Sequence, residues 1–192
     1  MTYFTRESIV ARSAGMTGQG RIGAGSAGMT AVAHSAAGSP GDTVERVAIR
    51  FPLNEANALR VTSGVFLLSR HSRLHTHYPV ETLDRRIAPS LPLAQFHYYT
   101  DPLGLPVAFC NWAWLSASVL ADMLATGRDL HADEFRCGAL PLFYEFLAPF
   151  GHIHAVVRDF RGLPAFKGRR IPSIRAKVSD ASSFPRVRYL HF

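Results

Sequence analysis

The chain has 192 residues, 47% of them hydrophobic and 18% charged, which supplies the core of one domain and excludes disorder throughout. Its cysteines, Cys110 and Cys137, lie in no CxxC pattern, so a disulfide framework is excluded and a reducing cytoplasm is expected, while no apolar run approaches the ~20 residues of an integral membrane segment. A net charge of +7 favours an acidic partner, whether nucleic acid, an anionic membrane surface or an acidic protein.

Residues 1–43 are dominated by Gly, Ala, Ser and Thr and read as a flexible low-complexity N-terminal extension. With Arg6, Arg12 and Arg21 but only Glu7 as an acid before Asp42, the segment also has a faint transit-peptide character, and Met16 or Met29 could serve as later starts. The domain proper is expected over residues 44–192. Between Asn54 and Leu68 apolar residues recur at spacings of three and four, which predicts a helix despite Gly64. The pattern breaks from Arg70 to Pro79, and Val80 to Ile87 predicts a second helix, because Pro79 is tolerated at a first turn and Pro89 ends it.

Gln95 to Thr100 and Val107 to Ala113 are apolar and β-prone on either side of Asp101-Pro102-Leu103-Gly104, predicting an antiparallel hairpin. Ser116 caps a helix running to Thr126 with Gly127 as its stop, and Asp133 is expected to cap another through Phe146, closed by Pro149 and Gly151. A short helix from His154 to Phe160 precedes two expected strands, Ala165 to Ile171 and Ser173 to Ser179, separated at Pro172. Together these elements describe an α+β domain.

Three stretches stand out by their order and spacing: Ser72-Arg73-Leu74-His75-Thr76-His77-Tyr78-Pro79-Val80, Pro106-Val107-Ala108-Phe109-Cys110-Asn111-Trp112-Ala113-Trp114-Leu115-Ser116, and Glu145-Phe146-Leu147-Ala148-Pro149-Phe150-Gly151. In this order they resemble the toxin-activating lysine acyltransferases, the haemolysin-activating family, with a weaker fourth match at Ala176-Lys177-Val178-Ser179. The resemblance spans roughly residues 54 to 182. It implies a GNAT-like acyltransferase fold, a twisted and mostly antiparallel sheet flanked by helices that opens to admit the acyl donor. It also implies a fatty-acyl carrier protein as donor with no further cofactor, internal lysines of an RTX protoxin as acceptors, and a homodimer.

A lysine amine, with an unperturbed pKa of about 10.4, must shed a proton before it attacks a thioester. His75 matches the family's catalytic histidine and is expected to act as the base, or else to take the acyl group covalently. Ser72 matches a serine preceding that histidine and either holds the loop or bonds the imidazole. Glu145 stands where the family has aspartate; a carboxylate there orients the histidine, and its extra methylene displaces the charge by about 1 Å or more, a scale of misplacement that can cost ~100-fold in rate. The competing reading places Glu145 on the surface of the helix ending at Pro149. Asn111 and Trp112 are supporting or substrate-binding positions, with Trp112 and Trp114 as walls of the core or of an acyl groove. Cys110, inside an apolar strand, reads as a small hydrophobe rather than a nucleophile.

His71, His75, His77, His152 and His154 could be drawn together as a metal site, but no HExxH or cysteine pair supports one and the resemblance implies none. His152 and His154 read instead as exposed residues after Gly151. Arg158, Arg161, Lys167, Arg169, Arg170, Arg175 and Lys177 form a basic cluster suited to an acidic carrier protein, with Arg169 and Arg170 as candidate binding positions. Nucleic acid fits that cluster less well, because no recognised reading module accompanies it. The alternative to an enzyme is a catalytically weak relative that only binds an acylated carrier or client.

Overall fold

The computed structural model describes residues 44–49, 51–175 and 186–192. The expected extension at 1–43 and the fourth motif, with Lys177, lie outside them. The described residues form a mixed α+β domain around one open six-stranded sheet of order β1 to β6, comprising Glu45–Arg46, Phe96–Thr100, Pro106–Leu115, Leu140–Leu147, Arg170–Arg175 and Arg186–His191. Neighbours pair antiparallel except β4 with β5, which run parallel at Phe143↔Ser173.

Helix α1, Glu55–His71, begins where the Asn54 side chain accepts the Asn57 amide at 2.8 Å, which satisfies one of the free first-turn N–H groups. Its inward stripe, Val61, Val65 and Leu68, packs with Leu83 and Ile87 of α2, Val80–Ile87, and with Phe96, Tyr98 and Phe109 of the sheet. Gly64 belongs to that stripe because Tyr98 leaves no room for a side chain: an added Cβ would stand 2.1 Å from the Tyr98 hydroxyl oxygen. Gly64→Ala is therefore expected to destabilise the protein by about 1–3 kcal/mol, measurable by urea denaturation.

Helix α3, Ala117–Thr126, has the expected Ser116 cap, and Gly127 closes it at φ 71°. Helix α4, Ile153–Arg161, lies on the other face of the sheet, over an aromatic cluster of Trp112, Phe143, Phe160 and Phe166. The sheet thus has a face carrying α1 and α2 and a face carrying α4.

Two expectations are corrected. The helix from Asp133 to Phe146 is instead a short 3₁₀ turn, Ala132–Phe135, followed by strand β4. Pro141 would cost an interior helix its hydrogen bond, whereas Phe143, Tyr144 and Phe146 suit a strand between two others. The break expected at Pro172 is absent, since Arg170–Arg175 is one strand paired with β6 through Pro172↔Tyr189. Ala165 to Lys167 form a turn closed by Gly168 at φ 73°, not the start of a strand.

Candidate functional site

Helix α1 ends because Ser72 takes an extended conformation, φ −91° and ψ 124°, its amide reaching back to the Ser69 carbonyl. The chain then folds into a 3₁₀ turn, His75–His77, before Pro79 starts α2. This hook turns His75 inward, where it is 4% exposed. Its Nδ1 lies 2.6 Å from the Ser72 hydroxyl and its Nε2 lies 2.7 Å from Glu145 Oε2. Tyr78 flanks the imidazole with ring centroids 5.2 Å apart.

Glu145 reaches this position through an irregularity in β4. Asn111 faces Glu145 across the strands and Trp112 faces Phe143, so Tyr144 is an extra residue. In a regular strand Tyr144 and Glu145 would point to opposite faces; the bulge turns both toward α2. There Arg86 meets each of them: its Nε pairs with Glu145 Oε1, and its guanidinium sits 4.3 Å from the centre of the Tyr144 ring. Arg86 also pairs with Asp129, which accepts a hydrogen bond from the Tyr144 hydroxyl at 3.1 Å.

Asn111 fixes the frame. Its Oδ1 accepts the Glu145 amide at 2.8 Å, and its Nδ2 donates to the Arg86 carbonyl at 2.9 Å and to the Ser90 hydroxyl at 3.2 Å. One buried amide therefore ties β3, β4 and the end of α2 together, leaving none of its polar atoms unused.

The electrostatics follow from this wiring. Burial pushes the Glu145 carboxyl up, but the charge of Arg86 and the hydrogen bond from His75 outweigh it and hold the group below the usual carboxylate range. Burial likewise works against the Arg86 charge, and Glu145, with Tyr144 and Tyr78, more than restores it. Burial and the Glu145 charge push the Tyr78 hydroxyl up to about 12. An ionised Glu145 accepts the Nε2 proton of His75, so the neutral imidazole presents its lone pair at Nδ1, toward Ser72. This is the Ser-His-carboxylate arrangement with the two ring nitrogens interchanged.

A family profile described as the RTX toxin acyltransferase family matches residues 54–188. The chain belongs to this family. Among its relatives, a lysine-acyltransferase, RtxC, of Vibrio cholerae is 40% identical over 139 residues, covering 71% of this chain and 90% of the relative. The protein-lysine myristoyltransferase HlyC of Escherichia coli is 30% identical, covering 57% of this chain and 64% of the relative. A leukotoxin-activating lysine-acyltransferase, LktC, of a Pasteurella haemolytica-like species is 26% identical over 56% of this chain and 64% of its own length.

Within this member of the RTX toxin acyltransferase family the structure brings Ser72, His75, Glu145 and Asn111 together. Glu145 is buried on a strand, not exposed on a helix. Trp112 points the other way, edge-on to Phe160 and Phe166 under α4. Arg169 and Arg170 lie exposed at the start of β5, over the Trp114 and Tyr189 rings at 5.6 and 4.0 Å. Cys110 is fully buried, and burial followed by the charge of Glu145 pushes its thiol well up, away from the reactive thiolate.

His152 is buried rather than exposed, while His154 is exposed as expected. Among the described residues no three His, Cys, Asp or Glu side chains converge on a point where a metal could sit. No helix among them is long and apolar enough to cross a membrane.

Sequence reasoning missed Arg86 and Asp129. Arg86 follows the inward-facing Leu83 by three residues and adjoins Ile87, which sets it at the border of the apolar face. A cation there implies a buried carboxylate partner. Asp129, from the loop after α3, left no comparable periodic signal.

Proposed function

We propose that the protein is a lysine acyltransferase that moves a fatty acyl group from an acyl carrier protein to internal lysines of an RTX protoxin. The observation that carries this reading is the Ser72–His75–Glu145 hydrogen-bonded chain, set in a member of the RTX toxin acyltransferase family. The names of its relatives as toxin-activating and lysine-directed acyltransferases support the acceptor. The parallel pairing of β4 and β5 within an otherwise antiparallel sheet supports a GNAT-like opening for the donor. Exposed Arg158, Arg161, Lys167, Arg169 and Arg170 suit an acidic carrier, for which they would raise the encounter rate.

Chemically, His75 is closed off from solvent whereas Ser72 is half-buried. The acceptor amine therefore meets the Ser72 hydroxyl first. As the amine attacks the thioester carbonyl, its proton passes to Ser72 Oγ while the hydroxyl proton passes to His75 Nδ1. Glu145, itself held by Arg86, stabilises the imidazolium. When the C–S bond breaks, the leaving thiolate recovers that proton.

The test is co-expression with a candidate RTX protoxin, followed by intact and peptide mass measurement of the toxin. A fatty-acyl mass gain on lysine, absent with His75→Ala, is the expected result. A toxin of unchanged mass beside the wild-type chain would overturn the reading, and carrier binding without transfer would leave a binding-only relative.

A further inference from the structure

A crevice of about 100 Å³ lies between α1 and α2 on the face of the sheet that carries the site. Val65, Leu83, Ile87 and Leu91 are its buried lining, and Phe66 and Val80, 48% and 66% exposed, stand at its open edge. Among the described residues of its walls only Thr62 and Asp84 have polar side chains. A larger cavity of about 170 Å³ beside β1 has Arg46 and His97 in its lining and lies on β2, two strands from Glu145.

The crevice and the site share α2. On α2, Leu83 and Ile87 line the crevice while Arg86, between them, holds Glu145. Tyr78, against the His75 ring, packs on the same apolar cluster as Leu83 and Ile87, and Val80 follows it by two residues. The lining on Val80–Ile87 runs for about 10 Å along the helix axis, the form of an elongated apolar slot whose Val80 end stands two residues along the chain from Tyr78. Its exposed walls leave apolar surface in water that an apolar ligand would cover.

We infer that this crevice holds the hydrocarbon chain of the transferred acyl group, with the carbonyl end at Ser72 and His75 and the methyl end toward Leu91. The inference rests on the acyltransferase reading above, and that one relative is a myristoyltransferase supports a long saturated chain as the occupant. Acyl-chain length selectivity then lies in the side chains of α1 and α2 that bound the slot.

Binding rather than transfer is the test, so that its failure and that of the proposed activity can be told apart. Butyryl-, octanoyl- and lauroyl-pantetheine are titrated calorimetrically into the full chain and into Ala88→Phe and Phe66→Ala, Ala88 being a further lining residue at the end of α2. Wild-type affinity should rise by about fourfold per methylene until the slot is filled. Ala88→Phe should leave butyryl binding intact but stop the rise earlier, costing the lauroyl compound at least tenfold. Phe66→Ala, at an exposed position where loss of fold is not expected, should lower the gain per methylene.

Chain-length profiles unchanged in both variants would overturn the inference. So would a dimer in sedimentation that Ala88→Phe dissociates without altering acyl affinity, which would assign the crevice to a second copy of the chain. A protein that binds the lauroyl compound in this way yet never acylates a toxin would sink the proposed activity and leave the acyl site standing.

Discussion

His75→Ala is expected to lower the rate of lysine acylation by about a hundred- to ten-thousand-fold, the range for a lost general base, in a single-turnover assay with acyl carrier protein and toxin. Ser72→Ala should cost less, about tenfold to a hundredfold, because the Nδ1 lone pair remains and a water can take the place of the hydroxyl. The double variant should be no slower than His75→Ala alone, since both side chains act on one proton. If Ser72→Ala instead matches His75→Ala, and a hydroxylamine-sensitive acyl group is found on the wild-type enzyme, Ser72 carries the acyl group covalently. In that event the relay through its hydroxyl is wrong.

Arg86→Met is expected to have the largest effect on stability. It leaves Glu145, 5% exposed, without its guanidinium partner, and breaking one side of a buried pair costs about 3–5 kcal/mol. In a domain of this size that lowers Tm by on the order of 10 °C. Arg86→Lys should recover little, because one ammonium cannot reproduce the planar contacts to Glu145, Asp129 and the Tyr144 ring together. Arg86→Met combined with Glu145→Leu should regain much of the stability by removing both buried charges, while remaining inactive.

The same variant has a pH signature. With Arg86 present the Glu145 carboxyl lies below its ordinary range despite burial. Its contribution to stability is therefore complete above the unfolded value of about 4.3 and is lost as the pH falls through the lower folded value. Without Arg86 burial is less opposed, the folded value rises, and acid unfolding followed by far-UV circular dichroism should begin at a higher pH than in the wild type. An unchanged acid midpoint would mean that Arg86 does not govern the ionisation of Glu145.

Local sequence determined a good part of this protein. The spacing of Val61, Val65 and Leu68, the Asn54 and Ser116 caps, the stop at Gly127 and the turn at Asp101 to Gly104 all act through neighbours a few residues away. Helices α1, α2 and α3 and the β2–β3 hairpin follow from them. Ser72 and His75 were equally legible, because three residues of chain suffice to bring hydroxyl to imidazole.

Strand β4 was not legible in the same way. Leu140 to Leu147 is a short apolar run whose period suits a buried strand or a buried helix, and its place between β3 and β5 decides for the strand. The bulge at Tyr144 likewise depends on the register with Asn111 and Trp112, residues about thirty positions away. That register alone puts Tyr144 and Glu145 on one face, gives Arg86 its partners and presents the carboxylate to His75. The sequence by itself thus determined which histidine stands within reach of a serine hydroxyl, and only the tertiary structure decided how its carboxylate is held, because a pairing between distant strands leaves no trace in the spacing of either one.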